Sequence, residues 1–215
     1  MTTRTAEEAK RNYIEKMGEE LGTQFYALWL EVDWLHATWG EYVHLFSEPK
    51  SVEILNQTAP ALFRIFHAAL WEQTLLRIAR LTDPPKAMKN RNLTIQNLPE
   101  LVDPTIKGAV QELVDAALNK CKFCRDWRNR QIAHSDLNLL MNGSAKPLEV
   151  ASGIRVQDAL GAIASVLNEP HLHYMDSWLV FSGNVGGAGN ALSLLRLLHD
   201  GLRARAGKTL GEYPV

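Results

Sequence analysis

The sequence is poor in cysteine, with two in 215 residues, so no disulfide framework can carry its stability. It also lacks long hydrophobic runs. No window approaches the ~18 consecutive apolar residues of a membrane-spanning helix. Net charge is missing too: 23 Lys plus Arg against 24 Asp plus Glu leave −1. Without a global field to steer the chain toward nucleic acid, any such contact must come from a local basic patch. The first residues, MTTRTAEEAKRNYIEK, are polar and helix-prone and hold no apolar core of a secretory leader. What remains is 46% hydrophobic and 22% charged, an ordinary globular composition. The expectation is a cytoplasmic, membrane-free chain forming one helical domain over residues 1–215.

The two cysteines, Cys121 and Cys124, are spaced CxxC. A zinc site needs further soft ligands, and no second CxxC or HxxxH supplies them. A redox pair would open a helix after a strand, whereas this pair falls inside a helical run. Packing on a helix face is the expectation, with no metal and no cofactor.

Helical periodicity runs over residues 6–46, with a weak point at 18–22. Residues 47–49 end it, and Thr58, Ala59 and Pro60 look like a new start. The second helix reaches about Leu81, where DPP at 83–85 stops it. It is apolar around most of its circumference, which predicts a central place in a bundle. Residues 86–92 read as a polar loop, followed by a short helical piece at 98–102. Asp103 and then Pro104 form a strong start signal for a long helix over 104–134. Residues 135–153 read as a loop, 156–168 as a helix ending before Pro170, and 191–206 as a final helix closed by Gly207. Strand is expected at most at residues 177–181. The GNVGGAGN that follows mimics a phosphate loop but fits neither GxGxxG nor the P-loop spacing. All-α is therefore the predicted class.

The segment CRDWRNRQIAHSDL stands apart, with Arg125, Arg128, Asn129, Arg130, His134 and Asp136 within twelve positions. Residues 120–130 hold five basic residues and one acid, the best basic patch in the chain. At ~100° per residue, Arg128 projects with Val110, Ala117 and Cys121 along the middle of the apolar stripe. An unpaired charge cannot stay buried there, since desolvation costs several kcal/mol. Either the stripe opens into a cleft or Arg128 meets an anion. A basic helix end that caps its own carbonyls is the alternative use of the same residues.

RNRQIAH resembles the signature of the HEPN superfamily: arginine, a polar residue, a spacer, then histidine on a late helix of an all-α bundle. RIARLTDP in an earlier helix and IAHSD after the arginines resemble the abortive-infection AbiU-type branch. The resemblance covers about residues 21–140 and leaves 154–207 as a helical extension. It implies a bundle of about five to seven helices with long central ones. It further implies a metal-independent endoribonuclease with a toxin or phage-defence role, whose motifs face each other in a homodimer. RNA or a nucleotide would be the ligand, and an antitoxin protein a further partner.

In that scheme His134 moves the proton of a ribose 2′-OH, Arg128 clamps the phosphate, and Asn129 orients the histidine or binds substrate. Arg125, Arg130 and Asp136 would bind substrate. Some HEPN toxins carry a tyrosine two residues after the histidine that a partner enzyme modifies; Asp136 stands there in this chain. Six residues from Arg128 to His134 mean ~9 Å of rise and ~120° of mismatch on an ideal helix. A shared dimer cleft, or a distortion near Ala133, would bring the two groups together. Arg130 and His134, four apart, share a face and are the rival pair.

Two other readings stay open. One is a catalytically silent HEPN-like dimer that binds a nucleotide or protein. The other is a helical metal-dependent hydrolase using His36, His44 and His67 with His134, although no Glu-x-x-His pattern accompanies them. His171 and His173 are expected at the surface, and Trp29, Trp34, Trp39 and Trp71 mainly in the core, with Trp34 or Trp39 as candidates for a dimer face.

Overall fold

Helix starts follow the capping chemistry. A computed structural model describes residues 5–87, 89–133, 141, 146–181 and 189–207. α1 (Ala6–Met17) opens on a capping box: Thr5 Oγ1 accepts from the Glu8 N–H, and Glu8 Oε2 accepts from the Thr5 N–H at 2.8 Å. Gly18, at φ 82°, ends it in a conformation that favours glycine. α2 (Glu19–Phe46) then folds back so closely that a Cβ on Gly22 would lie 2.6 Å from Ile14 Cα. α3 (Pro49–Thr58) starts on a proline, as does α4 (Pro60–Leu81). The sequence reading left residues 50–57 unassigned. Burial of Leu55 against neighbouring helices holds α3 in place.

After α4 comes a two-residue antiparallel ladder, β1 (Lys86–Ala87) with β2 (Asn90–Arg91), where the sequence predicted only a loop. α5 (Leu98–Leu101) precedes α6 (Pro104–Lys120), whose N-cap Asp103 accepts from the Thr105 N–H at 2.9 Å. These hydrogen bonds from Thr105 hold the Asp103 carboxyl below its usual range. The single long helix expected over 104–134 is divided. It stops at Lys120, resumes as α7 (Lys122–Trp127), and widens into a π-turn at Arg128–Ile132.

α8 (Gly153–Met175) runs past the expected stop before Pro170, because the helix there is held by burial of Val166, Leu167 and Pro170 itself. Residues 178–181 form no strand. Asn168 nonetheless grips Leu179 as a strand partner would, accepting its N–H at 2.7 Å and donating to its carbonyl at 3.3 Å. α9 (Ala191–Ala206) starts and ends as predicted. The all-α class holds, and no helix among the described residues is long and apolar enough to cross a membrane.

The chain divides into two compact units. The first, Met1–Leu35 with Thr74–Phe181, is built on α6 against α8. Val110, Val114, Ala117 and Cys121 are buried from α6, and Val156, Leu160, Ile163 and Leu167 from α8. Each buried Val, Leu or Ile among them contributes ~1.5–3 kcal/mol. The second unit, His36–Gln73 with Ser182–Val215, has a smaller core of Leu45, Leu55, Phe63, Ala191 and Leu195. Here the central place predicted for the second helix fails. Leu75, Ile78 and Ala79 of α4 are buried, but Leu62, Ile65 and Phe66 are exposed at 47%, 62% and 44%. Trp39 is buried, whereas Trp34 is 57% exposed.

Candidate functional site

The π-turn sits on the segment that the sequence singled out. Its hallmark is the Ala133 N–H bonding to the Arg128 carbonyl, five residues back, at 2.8 Å. Such single widened turns insert a residue into the helical register and recur at functional sites. The distortion thus falls within the Arg128–His134 interval, over the five residues ending at Ile132. His134 and Asp136 lie outside the described residues.

Side-chain hydrogen bonds hold the turn from two directions. From one, Arg125 Nη2 donates to the Thr82 carbonyl at the end of α4, which also accepts from Gln96 Nε2 at 2.8 Å. Arg128 Nη1 lies between both Asp83 carboxylate oxygens at 2.5 and 2.6 Å. Both side chains of that pair are about one-fifth exposed, at 22% and 21%. Cations at the C-terminal end of α4 also complement its dipole. RIARLTDP and the CRDWRNR segment, quoted separately from the sequence, therefore meet here, Thr82 with Arg125 and Asp83 with Arg128.

From the other direction, Trp127 Nε1 donates to the Glu149 carbonyl at 2.7 Å, and Asp126 Oδ2 accepts the Glu149 N–H at 2.9 Å. Arg130 Nη2 donates to the Lys146 carbonyl at 2.6 Å, and its Nη1 lies 3.4 Å from Asp126. Arg130 thus fastens residues 146–149 to the helix, a structural task the sequence did not reveal.

Arg128 is held on two of its three nitrogens. Nη1 is taken by Asp83, and Nε donates to Asn129 Oδ1 at 3.0 Å. Nη2 makes no hydrogen bond among the described residues. Asn129 itself is exposed, and its Oδ1 accepts the Arg128 Nε–H. The Arg125 Nε is buried and has no hydrogen-bond partner among the described residues. Asp83 is the residue that sequence reasoning missed. Its DPP context was read as helix punctuation, while its charge, opposite an arginine that needed an anion, was the available signal.

A protein-family model, described as HEPN_AbiU2 (AbiU2), matches residues 18–192. The chain belongs to this HEPN family. No curated protein and no solved structure matches it. The match extends through α8 to the start of α9, beyond the 21–140 over which the resemblance was legible. Membership in the AbiU2 family points to a HEPN-type function related to abortive infection.

The remaining candidates can be placed against that family frame. Cys121 and Cys124 are both buried free thiols. Burial pushes the Cys121 thiol up to about 12 and raises Cys124 further, so neither is a nucleophile near neutral pH. Among the described residues no group of three or more His, Cys, Asp or Glu is placed to hold a metal. His67 instead shares a hydrogen bond with Tyr42 Oη at 2.9 Å. His171, expected at the surface, is 5% exposed: it packs on Tyr13 and Phe25, and its Nδ1 lies 2.7 Å from the Ser177 carbonyl. Of the glycine-rich loop, residues 182–188 lie outside the described residues.

Proposed function

We propose that this AbiU2-family chain is a metal-independent endoribonuclease acting in abortive infection. Its active site would be shared by the Arg128–His134 motifs of two protomers. The observation that carries the reading is the state of Arg128. Its guanidinium is fixed through Nη1 and Nε and has no hydrogen bond at Nη2 among the described residues, in a widened helical turn that ends two residues before His134. A positioned, partly desolvated donor stabilises charge on a phosphate more than a mobile one, because it costs no reorganisation during reaction. His134 would take the 2′-OH proton and return one to the leaving 5′-oxygen. The neighbouring 2′-OH is the nucleophile, so the products end in 2′,3′-cyclic phosphate and DNA is inert.

The dimer is not required by the charge of Arg128. Asp83 supplies within the chain the anion that Arg128 needed. Self-association is instead supported by family membership and by the exposed apolar residues of α4, Leu62, Ile65 and Phe66. Light scattering at micromolar concentration should give about twice the 24.1 kDa chain mass.

One observation favours a second reading, a catalytically silent dimer that binds a nucleotide or protein. The Asp83 carboxylate neutralises Arg128, and a phosphate must compete with it. An RNA-cleavage assay separates the two. Nuclease activity predicts cutting that survives chelator and falls about 10²–10⁴-fold in His134→Ala and about 10²–10³-fold in Arg128→Ala. Equal cleavage by His134→Ala and wild type sinks the nuclease. Binding of RNA without turnover supports the silent module.

A further inference from the structure

We propose that the second unit holds a binding site for a small amphipathic monoanion, a flat apolar body bearing one carboxylate. The site lies in the groove formed by the end of α2, α3 and the first half of α4, and it uses no residue of the arginine–histidine motif. The groove has a volume of about 590 Å³. Small-molecule clefts typically span roughly 300–1,000 Å³, with apolar walls and a few convergent polar groups.

The walls are of that kind. Phe46, Leu55 and Phe63 line the groove, and the last two belong to the buried core of this unit, so that wall is built rather than loose. Arg64 and His67, one helical turn apart on α4, bring the polar groups. Arg64 makes no ion pair or hydrogen bond among the described residues. Arg77, Arg91, Arg128 and Arg155 each pair with a carboxylate. An unpaired guanidinium against an apolar wall is where a carboxylate binds best, through a planar, charge-assisted contact.

The His67 ring is held in place. Tyr42 Oη bonds its Nε2 at 2.9 Å, and Phe46 meets it edge-on with centroids 5.0 Å apart. Its Nδ1 is the ring nitrogen left without a hydrogen-bond partner among the described residues. The first turn of α4 also lines the groove, and the positive end of that helix dipole favours an anion there.

The same features select the ligand. One arginine and no lysine line the groove, which suits a single negative charge rather than a polyphosphate. Aromatic edges from Phe46, Phe63 and His67 suit a flat ring. Preorganised walls mean that little ordering entropy opposes binding.

The test is calorimetric titration of the full chain with 2-naphthoate, with 2-naphthalenemethanol as the neutral analogue of the same shape. Saturable binding of the acid is expected, at least tenfold tighter than the alcohol. Arg64→Gln should weaken the acid about tenfold to a hundredfold and leave the alcohol unchanged. Arg64→Lys, which keeps the charge but loses the planar fork, should fall between. Because Arg64 is exposed, these variants should melt with the wild type, and the melt checks that they do. No saturable binding up to millimolar acid, equal affinity for acid and alcohol, or indifference to Arg64→Gln would each overturn the proposal. So would release of the acid on self-association, which would make a second copy the occupant.

Discussion

Removing the Asp83 carboxylate tests how the candidate site is held together. In Asp83→Ala, Arg128 keeps its charge and its position beside the core but loses the anion 2.5–2.6 Å from Nη1. Exposed ion pairs contribute about 0–1 kcal/mol, and breaking a fully buried one costs about 3–5 kcal/mol. At about one-fifth exposure this pair falls between, so about 2 kcal/mol is expected. For a chain of this size that lowers Tm by roughly 4–8 °C. Asp83→Asn keeps the shape and one acceptor and should lose about half as much. Arg128→Ala and the double variant complete a cycle whose coupling should be about 1–2 kcal/mol. Thermal melts followed at 222 nm read all four proteins, and repeating them in 1 M salt should leave most of the coupling, since the pair is largely shielded from screening ions. Additivity within about 0.3 kcal/mol would refute the claim that Asp83 organises Arg128. If the nuclease reading holds, the same variant should bind RNA more tightly, having gained a positive charge, while cutting it more slowly, having loosened the clamp.

Three further outcomes follow from the packing. Gly22→Ala places a methyl 2.6 Å from the α1 backbone at Ile14 Cα and the Tyr13 carbonyl, so overpacking should cost about 1–3 kcal/mol or detach α1, read as a lower Tm. With the Cys121 thiol pushed up to about 12, only about 10⁻⁴ of it is thiolate at pH 8, so iodoacetamide should label both cysteines at the unfolding rate; rapid labelling of native protein would contradict their burial. Asn168→Ala removes both hydrogen bonds to Leu179, costs about 1–3 kcal/mol, and should make residues 177–181 the first site cut by limited proteolysis.

How far the sequence carried depends on whether the deciding physics is local. Thr5 with Glu8, Asp103 with Pro104, and Gly207 after Ala206 are local signals, and α1, α6 and α9 start or end where they say. Pro170 is equally local and misleads, because burial along α8 outweighs one missing N–H. His171 misleads for a related reason: its neighbours Tyr13 and Phe25 lie far away in sequence. The exposed first half of α4 shows the limit of periodicity. Composition says a helix is apolar all round, but only the partners present decide how much of it is covered.

The candidate site shows the same division at finer scale. The motif and its family were legible because RNRQIAH is contiguous. The sequence also required that Arg128, projecting along an apolar stripe, meet either a cleft or an anion. What it could not give was the identity of that anion, since Asp83 lies 45 residues away and pairing across that distance leaves no trace in helical spacing. Finding Asp83 also bears on the dimer. An arginine neutralised within its own chain does not need a second protomer for its stability, so any pairing of motifs must arise from function or from the exposed apolar surface. It also sharpens what catalysis requires. A phosphate approaching Nη2 meets a guanidinium whose charge is already shared with a carboxylate, and whose direction is already set. Orientation is then the main contribution Arg128 can make, with charge stabilisation reduced. Arg128→Lys keeps the charge but loses the fixed fork, and should therefore cut RNA nearly as poorly as Arg128→Ala.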